Sequence, residues 1–209
     1  LAKEPFASFV ELVRHRAAEL ATRWALAFLT DGKEKEVRRT YLQLDQEARA
    51  IAAQLQCLGQ EGERVLLLYP PGLEFVSALL GCFYAGVVAV PARLPRPNRS
   101  SGSLRSIVAD ARPNMVLTTG PCLADLSQRF AEDPALGVPC WLSTDTVESS
   151  LGENWRPPEL GWDTLACLQY TSGSTADPKG VMLTHGNLLS NSQRIYEAFE
   201  HSSSSIGVI

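Results

Sequence analysis

The sequence predicts an α/β fold with a mostly parallel, layered sheet. Three observations lead there. A strand, a helix and a strand follow one another between residues 64 and 90, the spacing of a right-handed βαβ crossover. Further apolar runs of strand length, at 115–119, 138–142 and 165–170, alternate with helical patterns. Directly after the last run comes a loop of glycine and hydroxyl residues, where ligands sit in such sheets.

Residues 5–20 form an amphipathic helix, since Phe6, Phe9, Val10, Val13, Ala17 and Leu20 share one face. His15 lies off that face between Arg14 and Arg16 and is read as solvated. Residues 24–30 read as a strand, with Asp31-Gly32 as a turn. The charged stretch 33–39 is expected to be a wet hairpin loop or a sheet edge. Thr40 to Leu44 leads into a second helix, in which Leu44, Ala48, Ile51, Ala52, Leu55 and Leu58 keep the helical period. Gly59 is its C-terminal stop.

Arg64–Tyr69 is almost continuously apolar, as a strand covered on both faces must be. Pro70-Pro71-Gly72 breaks it, Leu73–Ala85 follows as a helix, Gly86 ends that helix, and 87–90 is the next buried strand. The segment 91–99 (PARLPRPNR) holds too many prolines for a helix interior. Its Arg93, Arg96 and Arg99 have the charge to meet an anion, but a stiff surface loop is the preferred reading. Ser103 is expected to cap a helix that Pro113 stops after Ala111. A strand at 115–119, a helix at 121–130 and a short strand at 138–142 come next. Residues 143–158 are weakly patterned, and 154–158 (NWRPP) reads as an extended connector over the surface. Residues 185–199 have a helical pattern through Leu188, Ser192, Ile195 and Phe199. His185 stands at its start, where a hydrogen-bonding corner residue is preferred to a catalytic histidine.

The 209 residues, net charge of −4 and 45 % hydrophobic content describe a globular segment with one sizeable core. No apolar run nears the roughly 18 residues of a membrane span, and Lys3, Glu4 and Glu11 do not suit a secretion signal. Mild acidity argues against a nucleic-acid partner. Five cysteines without metal-ligand spacing, most of them in apolar runs, read as reduced core residues of a cytoplasmic protein. The chain has no initiator Met. Residues 206–209 look like the start of a strand, so the sequence is expected to be part of a longer polypeptide.

The stretch with the most chemistry is 165–189 (LACLQYTSGSTADPKGVMLTHGNLL), in which the ten residues 171–180 read as a loop between the apolar runs 165–170 and 181–184. Small residues let the backbone fold round an anion and turn N–H groups inward. Thr171, Ser172, Ser174 and Thr175 bring hydroxyl donors, and Lys179 adds a compact positive charge. A Walker A loop is excluded, because counting from Gly173 places Pro178 and Gly180 where Gly and Ser/Thr are required. A plain surface turn does not account for the order of these residues.

YTSGSTADPKG at 170–180 resembles the phosphate-binding signature of the adenylate-forming ligases, which include acyl-CoA synthetases, peptide-synthetase adenylation domains and luciferases. Leu168-Gln169-Tyr170 before it, and Val181 to Leu188 after it, are similar to the fatty acyl-AMP ligase branch. So are the Tyr69-Pro70-Pro71-Gly72 turn, the run at 81–91 and Arg96-Pro97-Asn98-Arg99-Ser100. Ala176 departs from the pattern, standing where many relatives have glycine. The resemblance spans 6–209 and implies the N-terminal part of the large domain, with the C-terminal domain absent from this chain.

What the resemblance implies for function is a two-step reaction. A fatty carboxylate attacks the α-phosphate of ATP, pyrophosphate leaves, and the acyl-adenylate then acylates the phosphopantetheine thiol of an acyl carrier protein. Thr171, Ser172, Gly173, Ser174, Thr175, Lys179 and Gly180 would hold the triphosphate together with Mg²⁺. The superfamily's magnesium-binding Thr-Glu pair, ribose-binding Asp and late catalytic Lys lie beyond Ile209. No catalytic residue is therefore expected in this chain, and adenylation by it alone is not expected. The alternatives are a long-chain acyl-CoA synthetase and a non-catalytic adenylation-like binding domain.

Overall fold

The computed structural model describes residues 6–30, 32, 34–59, 62–95, 102–171, 179–202 and 204–208. Helix α1 (Phe9–Glu19) is capped by Ser8, whose hydroxyl accepts from the Glu11 N–H at 3.2 Å. It starts later than its apolar pattern suggests, because Phe6 lies outside the helix. Strands β1 (Trp24–Leu29) and β2 (Glu36–Thr40) pair antiparallel as a separate hairpin. Glu36 to Arg39, read as loop or edge, are thus strand residues.

Thr40 ends β2 and caps α2 (Tyr41–Cys57) through a capping box with Gln43. Strand β3 (Arg64–Tyr69), α3 (Leu73–Ala85) and β4 (Val88–Arg93) form the expected βαβ unit. Gly86 stops α3 in the left-handed region at φ 72°, where its N–H returns to Cys82 and Phe83 carbonyls. Helix α4 (Gly102–Ala111) already includes Ser103 in its first turn, so Ser103 does not stand before the helix as a cap.

Strand β5 (Met115–Thr118), α5 (Gly120–Glu132) and β6 (Cys140–Ser143) continue the alternation. Strand β7 (Leu165–Thr171), β8 (Lys179–Thr184) and α6 (His185–Ala198) complete the regular elements. Residues 206–208 form no strand and are exposed, contrary to the apolar pattern. Hydrophobicity alone does not make a strand without a neighbour to accept its hydrogen bonds.

The main sheet runs β6-β5-β3-β4-β7-β8. Its first five strands are parallel, and β8 turns back antiparallel to β7 at the edge. Alternation along β3 feeds two cores. Val65, Leu67 and Tyr69 face α2 and α3, with Ile51, Leu55, Phe83 and Met115. Leu66 and Leu68 face α4 and α5, with Ile107, Val108, Leu126 and Phe130. Each fully buried leucine contributes about 2 kcal/mol by removal from water.

Residues 155–158 run extended with Arg156 and Pro157 exposed, as a surface connector should, but Trp155 is partly buried and anchors it. Its Nε1 donates to the Tyr84 carbonyl at 2.8 Å, its ring lies 5.2 Å from that of Tyr84, and Arg14 sits 5.0 Å over it. Tyr84 in turn donates from Oη to Asp45 Oδ1 at 2.9 Å, and Arg49 also binds Asp45. A polar cluster at the outer layer of the first core therefore ties α1, α2, α3 and the connector together.

Candidate functional site

The parallel strands present their carboxyl ends on one edge, and β7 delivers Thr171 there. The glycine- and hydroxyl-rich segment is the connection of a β-hairpin. Thr171 is the last residue of β7, and Lys179 and Gly180 open β8. The connection is thus shorter than the ten residues inferred from composition. Thr171 pairs with Lys179, and Tyr170 with Gly180. This puts a threonine and a lysine opposite each other at the hairpin mouth, both exposed. Ser172, Gly173, Ser174 and Thr175 lie outside the described residues.

The root of the hairpin is closed by Tyr170. A Cβ on residue 180 would lie 2.9 Å from Tyr170 Cζ, so the aromatic ring occupies the space that a side chain would need. The Tyr170 hydroxyl donates to Asp110 Oδ2 at 2.5 Å. Burial, reinforced by the Asp110 carboxylate, pushes the phenol pKa up and keeps it a donor. Sequence reasoning assigned Tyr170 no role beyond the motif. The available signal was an aromatic residue directly before the hydroxyl run.

Arg93 ends β4 on the same edge and is exposed. Arg96 and Arg99 lie outside the described residues. His185 opens α6 just behind β8. Its ring is buried and packs edge-on against Phe83 at 5.5 Å, and its Nδ1 has no hydrogen-bond partner. Burial lowers its pKa from 6.5 to about 4. Only its main-chain N–H bonds at the corner, to the Thr164 carbonyl at 3.0 Å. The side chain is thus a neutral packing group, not the hydrogen-bonding corner residue inferred from sequence.

A recess of about 310 Å³ opens elsewhere, between α2, α3 and the turns at 144–149. Arg39, Glu47, Glu74, Ser77, Thr144 and Asp145 are among its lining, whereas Thr171, Lys179 and Gly180 are not. Arg39 Nε and Ser77 Oγ each reach a different Glu47 oxygen at 2.5 Å. That carboxylate is already paired within the protein. Among the described residues no cluster of His, Cys, Asp and Glu is arranged to hold a metal ion. Among them also, no helix is long and apolar enough to cross a membrane. The free cysteines are Cys57, Cys82, Cys122, Cys140 and Cys167; only Cys82 and Cys167 are buried, while Cys57 at the end of α2 is exposed, so most are not the core residues read from the sequence.

Thr171 and Lys179 thus face each other at the carboxyl edge of a mostly parallel sheet, where ligands sit in such folds. Residues 13–206 match the family model described as AMP-binding enzyme, and the chain belongs to that family. Its relatives include fatty acyl-AMP ligases. It is 41 % identical over 210 residues to the medium-chain-fatty-acid–[acyl-carrier-protein] ligase JamA of Moorena producens, covering 99 % of this chain and 36 % of that protein. It is 37 % identical to the long-chain-fatty-acid–AMP ligase FadD32 of Mycolicibacterium smegmatis, covering 88 % of this chain and 29 % of that one. Among solved structures, the fatty acyl-adenylate ligase of L. pneumophila in complex with acyl adenylate and pyrophosphate superposes with a TM-score of 0.86. It is 39 % identical, over 96 % of this chain and 34 % of that one. The chain thus spans about a third of the length of the relatives it matches.

Proposed function

We propose that this chain is the N-terminal part, residues 1–209, of the large domain of a cytoplasmic enzyme that activates a fatty acid with ATP and passes it to an acyl carrier protein. The pairing of Thr171 with Lys179 across the hairpin mouth carries this reading. A carboxylate and ATP repel each other, so the β- and γ-phosphates must be held and neutralised before the α-phosphorus can be approached. The Lys179 ammonium supplies positive charge, and Thr171, its cross-strand partner, supplies a hydroxyl donor on the same face. Ser172, Gly173, Ser174, Thr175 and the backbone of Gly180 complete the proposed grip.

In the reaction a fatty carboxylate oxygen bonds to the α-phosphorus and the bond to the β-phosphate oxygen breaks. Pyrophosphate leaves, and the acyl-adenylate remains. Mg²⁺ would come in with the phosphates and screen their charge. The described residues contain no carboxylate cluster of their own for it. In the second step the phosphopantetheine thiol attacks the acyl carbon and releases AMP. A carrier-protein acceptor is supported by the likeness to JamA, whose name specifies that acceptor.

ATP–pyrophosphate exchange with a series of fatty acids, in the natural polypeptide carrying this sequence, tests the first step. Fatty-acid-dependent exchange is expected there, and none from the 209 residues alone. Transfer assays offering a phosphopantetheinylated carrier protein or coenzyme A test the second. Acylation of coenzyme A alone would assign the enzyme to the acyl-CoA synthetases, and exchange by neither polypeptide would leave a binding domain.

A further inference from the structure

We propose that Tyr170 is a positioning residue for the nucleotide, locking the two roots of the phosphate hairpin together and pinning them to the end of α4. The inference rests on the phosphate-binding reading of that hairpin. Tyr170 stands one residue before Thr171, and its cross-strand partner Gly180 stands one residue after Lys179. The ring spans the pair. A Cβ on residue 180 would meet Cζ at 2.9 Å and both Cε1 and Oη at 3.1 Å. The first is shorter than carbon atoms accept and the other two are tight, so glycine at 180 and an aromatic ring at 170 are one fitted unit.

The far end of the ring is fixed as well. Its hydroxyl donates to Asp110 Oδ2 at 2.5 Å. Asp110 is the penultimate residue of α4, and the carbonyl of Ala111, the last, accepts from Arg64 Nη1 at 3.0 Å. The acceptor therefore stands on a helix end that is itself tied to the first residue of β3. A carboxylate at a helix C-terminus faces the negative end of the dipole. A phenol donor offsets that cost, which gives the bond a definite partner. Loss of the hydroxyl would free the ring to turn off Gly180 and let the mouth spread. Thr171 and Lys179 would then lose their spacing while both cores stayed intact.

Steady-state exchange kinetics on the natural polypeptide carrying this sequence test the proposal. Tyr170→Phe and Asp110→Ala are each expected to raise the KM for ATP about fivefold, less than the full worth of the lost hydrogen bond because the residue acts through the hairpin and not on the nucleotide itself. The KM for the fatty acid and kcat should stay within about twofold, and the double variant should match either single one because both remove the same bond. Asp110→Asn keeps an acceptor oxygen and should restore the ATP KM. Thermal midpoints measured alongside show whether each variant is folded. Unchanged KM for ATP in folded Tyr170→Phe and Asp110→Ala overturns the positioning role and leaves the phosphate reading standing. So do equal losses toward ATP and fatty acid. Absence of ATP-dependent exchange in the unsubstituted polypeptide removes the phosphate reading itself, and the inference with it.

Discussion

Tyr84 Oη lies 2.9 Å from Asp45 Oδ1, a tyrosine on α3 donating to a buried carboxylate on α2. Burial, followed by the charge on Asp45, pushes the Tyr84 pKa up and keeps its proton in place. Tyr84→Phe removes this donor while the ring still packs beside Trp155. Unfolding free energy should fall by about 1.5–3 kcal/mol, the range for a hydrogen bond to a charged group. Urea denaturation followed by tryptophan fluorescence measures it. A change below about 0.5 kcal/mol would show that Arg49 alone satisfies Asp45.

Gly186, the second residue of α6, lies against the indole of Trp162. A Cβ there would fall 2.3 Å from Trp162 Nε1, while the Gly186 N–H donates to the Trp162 carbonyl at 2.8 Å. The backbone bond holds the two residues together, so the ring has to move if a methyl group is added. Gly186→Ala should cost about 2–3 kcal/mol through overpacking. The same substitution combined with Trp162→Leu should recover part of that loss, as the thermal midpoints of both variants would show.

His185 makes stability depend on pH in a definite direction. Its folded pKa is about 4 against an ordinary 6.5, so the unfolded chain takes up a proton first as pH falls. The stabilisation from the neutral ring is complete above about pH 6.5 and is lost progressively down to about pH 4. The span amounts to about 3 kcal/mol at most. In His185→Gln the unfolding free energy should fall less steeply between pH 6.5 and 4 than in the parent chain. Parallel slopes would mean that the ring is not responsible.

Lys179 is exposed at the hairpin mouth and contributes to neither core. Lys179→Ala should therefore leave the thermal midpoint within about 1 °C, the effect of a neutral surface change. It should weaken ATP about tenfold in the natural polypeptide carrying this sequence, equal to about 1.4 kcal/mol. Lys179→Arg, which keeps the charge, should lie between the two. Full ATP affinity in the alanine variant would remove Lys179 from the proposed grip.

The parallel sheet was legible in the sequence because its strands are apolar on both faces. Val65 to Leu68 leave no polar face to mislead, and Gly86 marks the turn between α3 and β4 unambiguously. Strand direction was not legible at the edge: the run from Val181 to Leu183 has the same composition whether it lies parallel or antiparallel to β7. Trp155 was hidden because Asn154, Arg156 and two prolines surround it, and its partners Tyr84 and Arg14 are distant in sequence. The charges of 36–39 suggested a loop or a sheet edge, and pairing with β1 decides for the edge strand. At the candidate site, Thr171, Lys179 and Gly180 were named from the motif alone. Their register, and the reach of Tyr170 to Asp110 sixty positions earlier, required the fold.

Strand β8 ends the sheet with Met182 70 % and Val181 47 % exposed, and among the described residues no further strand lies beyond it. A rim like this can recruit a stranger's backbone as readily as a natural neighbour's. Handled in isolation, these 209 residues should stack rim to rim as concentration rises, well before any interior contact fails. A lysine introduced at position 182 would be the simplest way to keep such a preparation monomeric.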